Sequence, residues 1–456
     1  MQTINNLRIA YIGGGSMNWA WNLMSDLALE PMLSGVVRLY DINHGAALAN
    51  EKIGNLIKEN PEVCGKWTYE AKASLKETLS DVDFVVISIL PGTFDEMESD
   101  VHTPEKYGIY QSVGDTVGPG GIVRSMRTVP MYVEIANAIR EYCPSAWVIN
   151  YTNPMSVCMT TLYSVFPEIK AFGCCHELFH IKKVMAKMLM IEAGVKDVKG
   201  SDVSLNVFGL NHFVWIDKAF YNTIDLMPMF NAFVQKHAEG GFALDDSDRD
   251  ETNSFRNNNK VCFDLYNRFG LIPAQGDRHT SEFMPPWYLE SPEVVKKWGF
   301  SLTKVSDRKA MRLARLEESA NIISGKEKFK IDPSGEEGLE QIKALLGLSE
   351  LITNVNIPNH GQVANLPLGA IVETNAVFSK DSVRPVFAGN IPPAINTMVS
   401  KHAQNQKNIV DAGIKKDLAL AFSVFINDSL MTLNIDKAEQ LFREMIENTK
   451  GYLQGW

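Results

Sequence analysis

The junction at residues 7–16 constrains the fold more than any other part of the chain. Leu7–Ile12 (LRIAYI) is a short, mainly apolar run of the kind that forms a buried parallel strand, and it stops directly at Gly13-Gly14-Gly15-Ser16. Helical spacing follows over Met17–Glu30, and a second run, Val36–Asp41 (VVRLYD), ends on a carboxylate. Further strands are expected at Asp83–Leu90 (DFVVISIL) and Ala146–Asn150 (AWVIN), with helices at Ala46–Lys58 and Val129–Glu141. Strands alternating with helices predict an α/β fold with an N-terminal Rossmann-type doubly wound parallel sheet.

Past Val203 the alternation fades. Asp202–Phe208 and Phe213–Asp217 read as strands flanking the turn Gly209-Leu210-Asn211, and Arg308–Ser324, Glu337–Leu346, Lys416–Val424 and Ile435–Gly451 read as helices. This half is expected to be a C-terminal α+β domain for catalysis, substrate and oligomerisation (201–456), set against a nucleotide-binding domain over 1–200. Glu239–Asn259 is polar and rich in Asp and Asn, which predicts a mobile surface loop.

The net charge of −10 argues against nucleic-acid binding, which needs basic patches. No apolar run reaches the roughly 18 residues of a membrane span, and Met1–Arg8 lacks the features of a signal peptide. Six scattered cysteines in such a chain are expected to stay reduced in the cytoplasm.

A glycine turn between a strand and a helix presents backbone N–H groups to a pyrophosphate, here from Gly13, Gly15, Ser16 and Met17. The pattern G-x-G-x-x-G is incomplete, because Asn18 stands at its third glycine position, and a tight turn without ligand is the alternative. Asp41, ending the second strand, suits the ribose hydroxyls and repels a 2′-phosphate, which favours NAD over NADP; it also suits a turn cap over Asp41-Ile42-Asn43.

Five polar motifs lie at strand ends or turns. Gly114–Gly121 surrounds Asp115 with glycines that let a ligand approach backbone, or that simply make a flexible turn. Asn150-Tyr151-Thr152-Asn153-Pro154 offers amides for sugar or nicotinamide oxygens, or an Asx-turn before proline. Gly173-Cys174-Cys175-His176-Glu177 sets a thiol beside an imidazole, as a metal ligand, a nucleophile or an inert buried cysteine. Gly209-Leu210-Asn211-His212 puts a histidine in a turn, and Gly276–Phe283 clusters Asp277, Arg278, His279 and Glu282.

In this order the motifs resemble glycoside hydrolase family 4, and the resemblance extends through Asn359–Pro367 and Val372-Glu373. The stretch Cys175-His176-Glu177-Leu178 is most similar to the CHEV signature of the α-galacturonidase subgroup, with Leu178 in place of valine. The resemblance implies an NAD- and divalent-metal-dependent glycosidase, usually with manganese, acting on a small-molecule or oligosaccharide uronate substrate and assembled as a homodimer or homotetramer. Hydrolysis would run by oxidation at carbon 3, elimination, water addition and re-reduction, an exception to the usual two-carboxylate scheme. Cys175 and His212 are then the metal ligands, His176 the leaving-group acid, Asp115 the residue that tunes the base, and Asn153 a holder of sugar hydroxyls. Asp277 takes the place of the base, with His279 and Tyr266 as alternatives. His279 is also a candidate for substrate binding. A guanidinium fork matches a carboxylate bidentately, so Arg278 is the candidate for the uronate. The alternatives are an α-galactosidase or α-glucosidase of the same family, or a dehydrogenase of the lactate/malate type, whose fold the family shares.

Overall fold

The structure is a computed structural model that describes residues 3–456. Its main sheet has nine strands. Six are parallel: β1 (Ile4–Ile12), β2 (Leu33–Tyr40), β3 (Lys66–Ala71), β4 (Phe84–Ile87), β5 (Trp147–Asn150) and β6 (Lys170–Gly173). They run in the order β3-β2-β1-β4-β5-β6, the Rossmann arrangement. A second sheet joins β7 (Val203–Leu210), β8 (Phe213–Tyr221), β9 (Ile224–Asp225) and β10 (Ile272–Pro273). The chain then returns to the first sheet. β11 (Leu351–Pro358), β12 (Ile371–Ser379) and β13 (Ser382–Pro385) extend it antiparallel beyond β6, through Asn356 opposite Gly173. Residues on both sides of position 200 therefore build one sheet.

Strand side chains alternate between faces, and both faces of this sheet are covered. Leu7, Ile9, Tyr11, Phe84 and Val86 enter one apolar cluster, while Ala10, Ile12, Val85 and Ile87 enter another. That two-sided burial explains the near-continuous apolar runs in the sequence.

The glycine turn after β1 is shaped by close approach. Gly13 has φ +91°, and a Cβ there would lie 1.9 Å from the Ser88 carbonyl oxygen. Buried Asn50 fastens the turn, donating to the Gly14 and Ser16 carbonyls at 2.8 and 2.9 Å and accepting from Trp21 Nε1 at 2.8 Å. The first helix runs over Trp19–Ala28, two residues inside each end of the expected span.

Larger departures have tertiary causes. The helix expected at Val129–Glu141 begins at Gly118 and runs to Tyr142, so Gly118-Pro119-Gly120-Gly121 forms its first turn. A Cβ on Gly120 would meet the Asp100 carbonyl at 2.6 Å, and one on Gly121 the Thr116 backbone at 2.4 Å. Packing here overrides the low helix propensity of glycine. Helix Pro393–Lys415, not foreseen, lies against it, with Gly413 closely opposed to Val129. Lys416 caps that helix in the left-handed region, and the next helix starts at Leu418. The Asp/Asn-rich segment is threaded with Asx contacts and includes a 3-10 turn, Asp246–Arg249.

Arg127 and Asp100, both fully buried, join helix Gly118–Tyr142 to helix Phe94–His102 by two N–H to carboxylate bonds of 3.1 and 2.5 Å. Removing one partner strands a buried charge. Arg127→Met is expected to cost about 3–5 kcal/mol, read as a lower midpoint in denaturant unfolding.

Candidate active site

The site forms beyond the carboxyl ends of β4, β5 and β6, where open parallel sheets place ligands. The segment after β6 supplies Cys175, His176 and Glu177; the β7–β8 turn supplies His212; helix Asp277–Phe283 supplies His279; and the approach to helix Gly118–Tyr142 supplies Asp115 and Thr116.

His212 is buried in the left-handed region, with φ +63°. Its Nδ1 lies 3.1 Å from Thr116 Oγ1, and that hydroxyl donates to Asp115 Oδ1 at 2.7 Å. Burial would raise the Asp115 carboxyl, but the cations Arg124 and His279 and the Thr116 hydroxyl outweigh it and hold the group below its ordinary range. The hydroxyl therefore has its one proton committed to a carboxylate and must accept from Nδ1–H. Nε2 is left as an unprotonated lone pair, the state a metal ligand needs. Burial, reinforced by neighbouring His279, pushes His212 down to about 3, which keeps the ring neutral.

Cys175 lies beside the side chain of Asn211, the residue before His212. Burial, with Glu373 and Glu177 nearby, pushes its thiol well up, so a thiolate here needs a cation beside it. Its adjacent Cys174 is committed elsewhere, donating to Gln341 Oε1 at 2.9 Å. One buried carboxylate holds this corner together. Glu373 Oε2 accepts from Asn211 and Asn356 Nδ2 at 3.2 Å each, and Oε1 accepts from Asn354 Nδ2 at 2.7 Å. Asn354 also reaches the Cys175 carbonyl at 3.3 Å.

Two further pairs frame the site. His279 Nδ1 lies 3.2 Å from Glu177 Oε2, and its ring centroid is 4.0 Å from that of His212. His176 Nδ1 lies 3.0 Å from Glu336 Oε1, near Trp19. Asn153 and Asn211 each present a buried side-chain oxygen with no partner among the described residues, as open acceptors. The donors fit a divalent metal: one soft thiol and one neutral imidazole with its tautomer set. Among the described residues no group of three or more His, Cys, Asp or Glu gathers to enclose a cation, so most of the coordination sphere would be left for substrate oxygens.

At the glycine turn the N–H groups are largely occupied. Gly13 and Gly14 donate to the Tyr40 carbonyl at 2.9 and 2.8 Å, Gly15 to Asp41 Oδ2 at 3.0 Å, and Ser16 to the Gly13 carbonyl at 3.0 Å. Ser16 Oγ accepts from Trp19 N at 3.1 Å and Asp41 Oδ1 from Asn43 N at 2.8 Å. Met17 N has no partner among the described residues. The glycines thus shape the cradle, and the open donor lies just beyond them.

Residues 8–191 are matched by the family 4 glycosyl hydrolase model, and residues 207–431 by that of the family 4 glycosyl hydrolase C-terminal domain. The chain belongs to family 4 of the glycosyl hydrolases. Its relatives include an alpha-galacturonidase of Thermoanaerobacterium saccharolyticum, 55% identical over 454 residues that cover 99% of this chain and 98% of the relative. Another alpha-galacturonidase, from Bacillus subtilis, is 50% identical over 448 residues, 98% of each chain. Among solved structures, the Bacillus subtilis protein lplD superposes with a TM-score of 0.92 at 50% identity, over 97% of this chain and 100% of that one. A 6-phospho-alpha-glucosidase from gut microorganisms, solved with NAD and Mn2+, shares the fold at TM-score 0.78 and 21% identity, over 98% and 99% of the two chains.

Within this family 4 frame, three expected residues sit differently from their motif. Asp277 turns its carboxyl to the start of helix Lys260–Phe269, where Oδ1 accepts from Cys262 N at 3.0 Å. Burial pushes that carboxyl up to about 7. Tyr266 packs edge-on against Phe230 in the apolar cluster behind β8. Arg278 has Nη2 engaged by the Ser112 carbonyl at 2.6 Å and Thr303 Oγ1 at 2.8 Å, so its fork is partly spent. Thr116 and Glu336 were not foreseen; a threonine relaying a carboxylate to a distant histidine carries no local sequence pattern. Glu177 stood inside the Gly173–Glu177 motif without a role of its own.

Glu282 joins helix Asp277–Phe283 to the glycine segment, its Oε1 accepting from Val113 N at 2.7 Å and Gly114 N at 2.9 Å. Burial pushes this carboxyl up from 4.5 to about 7. Between those values the folded state keeps a proton that the unfolded state has lost, so stability falls as pH rises through that window. Glu282→Gln keeps both bonds through its carbonyl oxygen and removes the titration. It is expected to flatten thermal stability between pH 5 and 7, gaining on the order of 3 kcal/mol relative to wild type by pH 7.5.

Proposed function

We propose that this chain is an α-galacturonidase working with bound NAD and a divalent metal, manganese being the expected ion. The observation that carries the reading is His212, kept neutral and open at Nε2 by the Thr116–Asp115 relay, with the preceding residue Asn211 against Cys175. The alpha-galacturonidases at 50–55% identity supply the substrate class, and the NAD- and Mn2+-bound relative of the same fold supplies the cofactors. When bound, NAD provides a hydride acceptor for a sugar carbinol, and the metal polarises the oxygen it contacts.

Cys175 and His212 hold the metal. Asp115, through Thr116, fixes the imidazole and keeps a negative charge beside it. Asn153 directs its free oxygen to sugar hydroxyls. For the carbon 2 proton, His279 has its ring against His212 and its Nδ1 paired with Glu177, which raises its basicity, so it serves as base only from its deprotonated form; Asp277 and Tyr266 are the alternatives. His176, buttressed by Glu336, is placed to protonate the leaving oxygen. At the cofactor, Gly13, Gly15 and Ser16 shape the turn, Met17 N meets the pyrophosphate, and Asp41 meets the ribose while bracing Gly15. Arg278 contributes positive charge toward the uronate. The protein is expected to act as a homodimer or homotetramer in the cytoplasm, consistent with six free thiols and with the lack of any helix long and apolar enough to cross a membrane among the described residues.

A panel of p-nitrophenyl α-glycosides assayed with NAD, manganese and a thiol reductant tests this. The galacturonide is expected to be cleaved fastest, with no net accumulation of NADH. Cys175→Ser should lose roughly 100-fold or more in kcat/KM and its manganese dependence. Release from no α-glycoside, or stoichiometric NADH formation, would overturn the proposal.

A further inference from the structure

Arg308 lies in the first turn of helix Val305–Ile323, far in sequence from every motif of the site. Its guanidinium stands 4.7 Å from the centroid of the Phe255 ring, and that of Arg278 stands 5.1 Å from the same ring. Phe255, at 52% exposure, is thus an apolar ring in contact with two cations and open to solvent. Its neighbour Ser254 donates to Asp307 Oδ2 at 2.7 Å, which fastens the loop to the helix turn that carries Arg308.

The two arginines differ in what they have left to offer. Nη2 of Arg278 is engaged twice, and its buried Nε has no partner. Arg308 makes no hydrogen bond or ion pair among the described residues. Burial lowers its basicity, and Asp115 and Asp307 act from a distance in the opposite direction. Arg278 and Arg308 also repel one another, and burial with this repulsion lowers Arg278 to about 10. Arg278 is buried and Arg308 half-buried, and guanidinium groups withdrawn from water without a paired carboxylate are costly. Asp115 acts on both only from a distance, in a chain of net charge −10 that does not attract anions as a whole. The local arrangement is one anion short.

We propose that Arg308 supplies the guanidinium fork for the substrate carboxylate, with Arg278 Nε as a second donor and Phe255 as the wall that orients both cations. This deepens the α-galacturonidase reading and rests on it. A neutral hexose would place a hydroxymethyl group against the same fork and leave both charges uncompensated, so the pair selects for uronates. Lysine at position 308 keeps the charge and loses the planar fork.

The test compares wild type, Arg308→Gln, Arg308→Lys and Phe255→Leu, each with NAD, manganese and reductant, on the p-nitrophenyl α-galacturonide. Arg308→Gln is expected to raise KM at least tenfold with a smaller change in kcat, since bonds to a charged group contribute about 1.5–3 kcal/mol. Arg308→Lys and Phe255→Leu should fall between it and wild type. In thermal melts, free galacturonate should raise the midpoint of wild type more than galactose does, and this difference should vanish in Arg308→Gln. Equal galacturonate shifts in wild type and Arg308→Gln, an unchanged KM, or a loss confined to kcat would overturn the assignment of Arg308. Wild type inactive on the galacturonide would instead overturn the functional reading beneath it.

Discussion

Glu373 is the group on which the site geometry depends. It stands on β12, yet it accepts hydrogen bonds from Asn354 and Asn356 of β11 and from Asn211 in the β7–β8 turn. A carboxylate that gathers three amide donors in a dry interior fixes three chain segments at once. The cost is visible in the group itself, which burial pushes up to about 7 despite the three donors. Glu373 ties the turn carrying His212, through Asn211, to β11 and β12. The return of β11–β13 to the first sheet therefore also ties the β7–β8 turn to the segment after β6.

The second level of control is electrostatic. Asp115 remains ionised in a buried setting because Arg124 and His279 lie near it and the Thr116 hydroxyl donates to it. That charge determines the direction of the Thr116 hydroxyl, and the hydroxyl determines the His212 tautomer. A chain of two hydrogen bonds thereby converts the ionisation of one carboxyl into an unprotonated Nε2 on His212. Glu177 and Glu336 act in the opposite sense, raising His279 and His176 above the ordinary imidazole value. Each of the three imidazoles has its Nδ1 turned to a neighbouring side chain.

Local pattern explains which features were legible in the sequence. β1, the glycine turn and Asp41 were readable because strand, turn and carboxylate are contiguous and each has a short-range cause. Cys175, His176 and His212 were named through motifs. Helix Pro393–Lys415 and strands β11–β13 were not foreseen, since neither their packing nor their pairing with the N-terminal sheet leaves a local signal. The start of helix Gly118–Tyr142 was obscured by glycines that propensity assigns to a loop and packing assigns to a helix.

The sequence by itself determined the parallel sheet, the glycine turn after β1 and the polar motifs at strand ends, because these follow from apolar periodicity, glycine sterics and residue type. Only the tertiary structure decided the surroundings of each polar side chain. It turned Asp277 toward a helix terminus, buried Tyr266 in an apolar cluster, faced His279 toward His212, and brought Arg308 beside Arg278 over Phe255. The physical reason is that side-chain direction, ionisation and tautomer depend on neighbours supplied by distant segments, and those neighbours exist only once the chain has closed on itself.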